Sequence, residues 1–115
     1  MIRCLIFVLL ISACVSPNQD NSLAGRIIYV DAGHGGTAAI DSYRVGPTGE
    51  REEWINLRVA KHLEVLLTAE GAEVLMTRTT DTAVSLSDRA ELAKAREADV
   101  FLSIHHNATA DTSVN

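Results

Sequence analysis

RIIYVDAGHGG (residues 26–36) runs from a β-branched, apolar segment straight into a cluster of glycines around one histidine. It lacks the polar alternation of a half-exposed strand, so it reads as a strand buried on both faces. AEVLMTR (72–78) reads as a second strand, and DVFLSI (99–104) as a third with the same near-continuous apolar character. Helical patterns separate them. Between Arg51 and Glu70, the residues Ile55, Val59, Leu63, Leu66 and Leu67 recur at helical spacing, and Gly71 follows where a helix-ending glycine belongs. Ser85 with Asp88 three residues later predicts a capping box opening a second helix that runs to about Glu97.

Strands alternating with helices place the chain in the α/β class. The expected architecture is a mostly parallel sheet with right-handed crossovers and helices on both faces. In such sheets ligands bind beyond the carboxyl ends of the strands. His34 follows the first strand there, and His105 and His106 follow the third, in FLSIHHNA (101–108). Histidines roughly seventy residues apart are thus brought to one edge.

Size and charge narrow the field. The 115 residues are 47% hydrophobic and 22% charged, enough for one domain at most. Ten basic residues against fifteen acidic ones give a net charge of −5, and no basic run exists, which argues against nucleic-acid binding.

MIRCLIFVLLISAC opens with Arg3, continues as an apolar run from Cys4 to Ile11, and exits through Ser12 and Ala13. That order predicts an export signal over residues 1–13. The apolar run is too short to span a bilayer as a helix. ISAC resembles the lipobox of bacterial lipoproteins, which implies a lipid on Cys14 and attachment to a membrane. With Cys4 removed, Cys14 has no partner for an internal disulfide. VSPNQDNSLAG (15–25) is polar and reads as a tether, so residues 14–25 link the anchor to a domain expected over 26–115. Val15 stands where an aspartate would resemble an inner-membrane retention signal, so an outer-membrane destination facing the periplasm is expected.

Neutral imidazole is a common ligand for zinc-like metals, usually joined by Cys, Asp or Glu. Cysteine is unavailable at this edge, so the third ligand is expected to be a carboxylate. Glu50, Glu52 and Glu53, in EREEWIN, are the candidates, although acidic residues in a first helical turn are also favoured by the helix dipole. Gly33, Gly35 and Gly36 strip side chains from around His34 and permit close approach. Asp31 could hold a ligand imidazole in one tautomer, and His62, mid-helix, reads as a surface residue. Neighbouring strand residues point to opposite faces, so only one of His105 and His106 can aim at a given metal. Periodicity leaves open which one, and spacing leaves open which glutamate.

VDAGHGG, GPTGEREEWINL, TR, LSDRAELA and FLSIHHNA, in this order, resemble the zinc-dependent N-acetylmuramoyl-L-alanine amidases of the type 3 family. The resemblance covers residues 27–108. It implies zinc ligands at His34, Glu52 and His105, with Glu53 as the alternative acidic ligand, Leu57 as the apolar partner on the helix, and His106 at the rim. It implies hydrolysis of the amide between N-acetylmuramic acid and L-alanine, with peptidoglycan as partner. The loop TAAIDSYRVGPTG (37–49) departs from the family pattern in length. The family's catalytic glutamate lies on a strand beyond the S-I-H motif, so none is identifiable in this chain. It is expected past Asn115, and the chain is expected to be an N-terminal portion, apparently truncated. Two other readings compete: a peptidoglycan-binding lipoprotein that bears zinc without cutting, and a carboxypeptidase-like zinc hydrolase.

Overall fold

The computed structural model describes residues 21–36 and 45–106. The signal expected over 1–13, the anchor expected at Cys14, most of the expected tether and the loop 37–44 fall outside the described residues, as does everything after His106.

The elements are β1 (Ile27–Ala32), α1 (Glu52–Ala69), β2 (Glu73–Met76), α2 (Leu86–Ala95) and β3 (Val100–Ile104). Each lies within a residue or a few of the boundaries expected from the sequence. The sheet is parallel with order β2-β1-β3. The chain therefore passes from β1 to one side, then crosses over β1 to the other. The strand order reverses between β1 and β3, which is where open α/β sheets bind ligands. Register does the rest. Ala32 pairs with Ile104, and the Gly33 N–H donates to the Ile104 carbonyl at 3.0 Å, so the residues leaving β1 and β3 emerge side by side.

β1 alternates strictly. Ile28, Val30 and Ala32 face α1 and form the core with Ala60 and Ala72; Leu57, Leu63, Leu67, Val74, Met76, Leu102 and Ile104 pack around them. Each large aliphatic side chain so buried contributes about 1.5–3 kcal/mol. Tyr29 and Asp31 point to the opposite face. There Tyr29 stacks on Phe101 with ring centroids 6.5 Å apart, and α2 reaches the sheet through Arg89. Helices thus lie on both faces.

The apolar repeat that predicts α1 covers only part of its inward face. Its buried residues are Glu52, Glu53, Asn56 and Ala60, whereas Val59 and Leu66 are exposed. Leu63 and Leu67 of the apolar repeat do pack on the core, and three polar residues extend that inward face into the edge where the histidines gather. Ser85 caps α2 as expected, its Oγ accepting from the Asp88 N–H at 3.1 Å. The turn at 21–25, expected to be part of the tether, packs on the domain. The Leu23 N–H donates to the Glu70 carbonyl at 3.0 Å, and the Leu23 side chain lies against the core.

Candidate metal centre

His34 sits in the turn after β1, with φ at 59°. This left-handed conformation is uncommon for a residue with a Cβ. His105 follows β3 directly, and Glu52 opens α1. One ligand atom from each of the three lies within 4.8 Å of the others. His34 Nε2 is 3.4 Å and His105 Nδ1 is 3.2 Å from Glu52 Oε1. The two imidazoles meet edge to face, centroids 4.8 Å apart.

Gly33 makes this approach possible. A Cβ on Gly33 would overlap the His105 ring itself, so any side chain there would displace that ring. The close approach expected at the glycines around His34 is made here by a side-chain ring.

Glu52 is buried and well supplied with donors. Burial alone would raise its pKa, but the His106 peptide N–H at 3.0 Å, the Asn56 amide at 3.4 Å and the two histidines together hold the carboxyl below its usual range. It is therefore an anion at neutral pH, ready to balance a cation. Glu53 goes elsewhere: fully buried, it forms an ion pair with Arg51 and takes no part in the triad. Glu50 is exposed and pairs with Arg58 at 3.4 Å. His62 is exposed on α1.

The two adjacent histidines separate as strand alternation requires. His105 turns to Glu52 and His34. His106 turns toward α1, where its Nδ1 lies 2.8 Å from Asn56 Oδ1. The Asn56 amide nitrogen faces the Gly33 carbonyl at 3.1 Å and Glu52, both acceptors, so its oxygen is the atom that meets His106. His106 must then carry its proton on Nδ1.

A cleft of about 580 Å³ opens beside the triad, lined by His34, His105, Ser103, Phe101 and Leu86 among others. Two imidazoles and one carboxylate facing an open cleft match a three-ligand metal site with a position left for water or substrate. The donor set fits a divalent cation.

The sequence of the N-acetylmuramoyl-L-alanine amidase family matches residues 28–115. The chain belongs to that family. It is 38% identical over 105 residues to the N-acetylmuramoyl-L-alanine amidase LytC of Bacillus subtilis, covering 91% of this chain and 20% of LytC. It is 37% identical over 89 residues to AmiA of Escherichia coli, covering 77% and 30%. Among solved structures, the catalytic domain of the amidase CwlV from Bacillus (Paenibacillus) polymyxa superimposes with a TM-score of 0.68 at 35% identity, covering 78% of this chain and 49% of that one. The amidase of Clostridium difficile 630 does so at 0.67 and 39%, covering 75% and 46%. The chain thus spans well under half of these curated relatives and about half of the solved amidase chains.

Sequence reasoning missed three residues at the amidase edge. Asn56 lies one helical turn after Glu52, a spacing that could have linked them. Arg78 and Arg89 are buried, at 4% and 6% exposure, and bond to the turn carrying His34. Both stand in the stretches TR and LSDRAELA, but nothing in their spacing separates a buried arginine from a solvated one.

Proposed function

We propose that this chain carries the zinc site of an N-acetylmuramoyl-L-alanine amidase, an enzyme that cuts the amide between N-acetylmuramic acid and L-alanine in peptidoglycan. The observation that supports it most is the convergence of His34, Glu52 and His105 beside an open cleft. These three would hold the cation. Zinc, when bound, supplies the Lewis acidity that activates water and polarises an amide carbonyl near neutral pH. Glu52 balances charge and is held in place by Asn56 and the His106 peptide N–H; Gly33 gives His105 room to close the set.

Hydrolysis also needs a carboxylate to carry a proton from water to the leaving amine. Glu52 is committed to the cation, and Asp31 and Glu53 to arginines. That role therefore falls to a group outside the described residues. The same observation favours, as a second reading, a zinc-bearing peptidoglycan binder that does not cut. Without a general base, hydrolysis slows by about 10²–10⁴-fold.

We infer further that residues 1–13 direct export and that a lipid on Cys14 holds the domain in the cell envelope, at the outer membrane where one exists. Incorporation of labelled palmitate that is lost in Cys14→Ser tests the anchor.

The test of function combines metal analysis with dye release from labelled peptidoglycan and mapping of the new chain ends. Bound zinc, with new amino termini on L-alanine, supports the amidase. Bound zinc and peptidoglycan without dye release supports the binder. Release of free amino acids points to a carboxypeptidase-like enzyme, and a chain that takes up no divalent cation overturns all three.

A further inference from the structure

The turn Ala32–His34 leaves the sheet, and its carbonyls turn inward to side chains. The Ala32 carbonyl accepts from Arg78 Nε at 2.8 Å and from Arg89 Nη1 at 2.9 Å. The Gly33 carbonyl accepts from Arg78 Nη2 at 3.0 Å. The His34 carbonyl accepts from Arg89 Nη2 at 2.6 Å. Two buried guanidinium groups thus hold three consecutive carbonyls of the segment that presents His34.

Each arginine is itself braced. Arg89 Nη1 meets Asp31 Oδ1 at 2.5 Å, and its Nε donates to the Val84 carbonyl at 3.1 Å. Asp31 is fixed in turn by Thr77 Oγ1 at 2.8 Å and Ser103 Oγ at 2.7 Å. Arg78 Nη2 also donates to the Glu53 carbonyl at 2.8 Å, and Nη1 to the Thr80 carbonyl at 3.1 Å. Arg78 thereby ties the His34 turn to the first turn of α1, one residue from Glu52. Arg89 ties it to α2.

We propose that Arg78 and Arg89 are positioning residues that set His34 at its place relative to Glu52 before any metal arrives. The inference rests on the reading of His34, Glu52 and His105 as metal ligands. A left-handed φ at a residue with a Cβ persists only where its surroundings over-determine it, and the two guanidinium groups supply that determination. Lysine cannot replace them. A single ammonium has its three donors on one nitrogen, whereas the planar fork of arginine spans carbonyls several ångströms apart. Arg89→Lys can keep its charge beside Asp31 while releasing the His34 carbonyl. Arg78→Lys can keep one carbonyl while releasing the link to α1.

The experiment measures zinc affinity by competition with a chromophoric chelator, and melting of the metal-free protein, for the unsubstituted chain, Arg89→Lys, Arg78→Lys and His34→Ala. Partners that orient metal ligands typically contribute about 10–100-fold in affinity. The expected result is a loss of that size in both lysine variants, with melting of the metal-free protein little changed. Should one variant fail to fold, the other carries the comparison. Unchanged affinity in a folded lysine variant overturns the positioning role alone, and so does an affinity loss that only tracks lowered melting or the unfolding of both variants. If the unsubstituted chain binds no zinc, or His34→Ala binds it equally well, the metal-site reading fails and this one with it.

Discussion

His105 and Glu52 stand 53 residues apart in the chain, yet Nδ1 of the histidine lies 3.2 Å from Oε1 of the glutamate. The next residue meets the same oxygen differently, with the His106 peptide N–H at 3.0 Å while its ring turns away to Asn56. Adjacent side chains at the end of one strand therefore do different work. One can bind a cation. The other holds the carboxylate through its backbone and anchors its ring on the helix.

Replacing each in turn should separate those roles. His105→Ala removes a proposed ligand, and zinc affinity should fall by more than the about 10–100-fold typical of outer partners. His106→Ala keeps the peptide N–H on Glu52 and should spare most of the affinity. It leaves the buried Asn56 oxygen without its donor, so the metal-free protein should lose about 1 kcal/mol of stability. Isothermal titration with zinc and urea unfolding read the two effects; equal losses of zinc in both variants would refute the assignment.

Glu52 and Glu53 should show the opposite split. Glu52→Gln takes away the anion that balances the cation, and zinc binding should drop sharply with little change in the metal-free fold. Glu53→Gln disrupts the ion pair with Arg51 and should spare zinc. Losing one partner of a fully buried pair costs about 3–5 kcal/mol. Arg51 is partly exposed, so about 2 kcal/mol is expected here, measured by urea unfolding. A larger zinc loss in Glu53→Gln would move the ligand by one residue.

Much of this edge was legible in the sequence, for physical reasons. Three apolar runs separated by helical spacing leave few topologies beyond a parallel sheet, and that sheet gathers the ends of its strands on one side. His34 and His105 could be brought together on that ground alone. The choice of Glu52 over Glu53 could not, since consecutive residues at a helix start differ by about 100° in direction and the entry angle of the helix decides between them. The polar start of the inward face of α1 was not legible, because Glu53 and Asn56 are buried through charge and hydrogen bonds, and hydrophobic periodicity is blind to both. Arg78 and Arg89 escaped for the same reason.

Gly33 offers a steric test that changes no ligand. A methyl group there would overlap the His105 ring, and the Gly33 backbone itself is not in the left-handed region. Gly33→Ala should therefore fold and displace His105. Zinc affinity is expected to fall at least tenfold, on the order of what misplaced ligands cost. Affinity within a factor of about two of the unsubstituted protein would show that the ring relocates without loss.

Acid stability reports on Asp31. Burial would raise its pKa, but the hydroxyls of Ser103 and Thr77 and the guanidinium of Arg89 outweigh that effect and hold the carboxyl below its usual range. A group whose pKa is lower in the folded state binds its proton first in the unfolded one, so folding stability declines as pH falls. The contribution of Asp31 is present in full above the ordinary carboxylate value of about 3.9. It disappears as pH drops through the depressed folded value. Asp31→Asn keeps an acceptor for Arg89 but has no proton to take up. It should be less stable than the unsubstituted protein at pH 7, and the gap should close between about pH 5 and pH 2. Glu52, Asp81 and Asp99 are depressed too, so the variant retains part of the acid slope. Urea unfolding of the metal-free proteins across that range measures the difference. A gap that stays constant down to pH 2 would mean that Asp31 is held by its hydrogen bonds without being held as an anion.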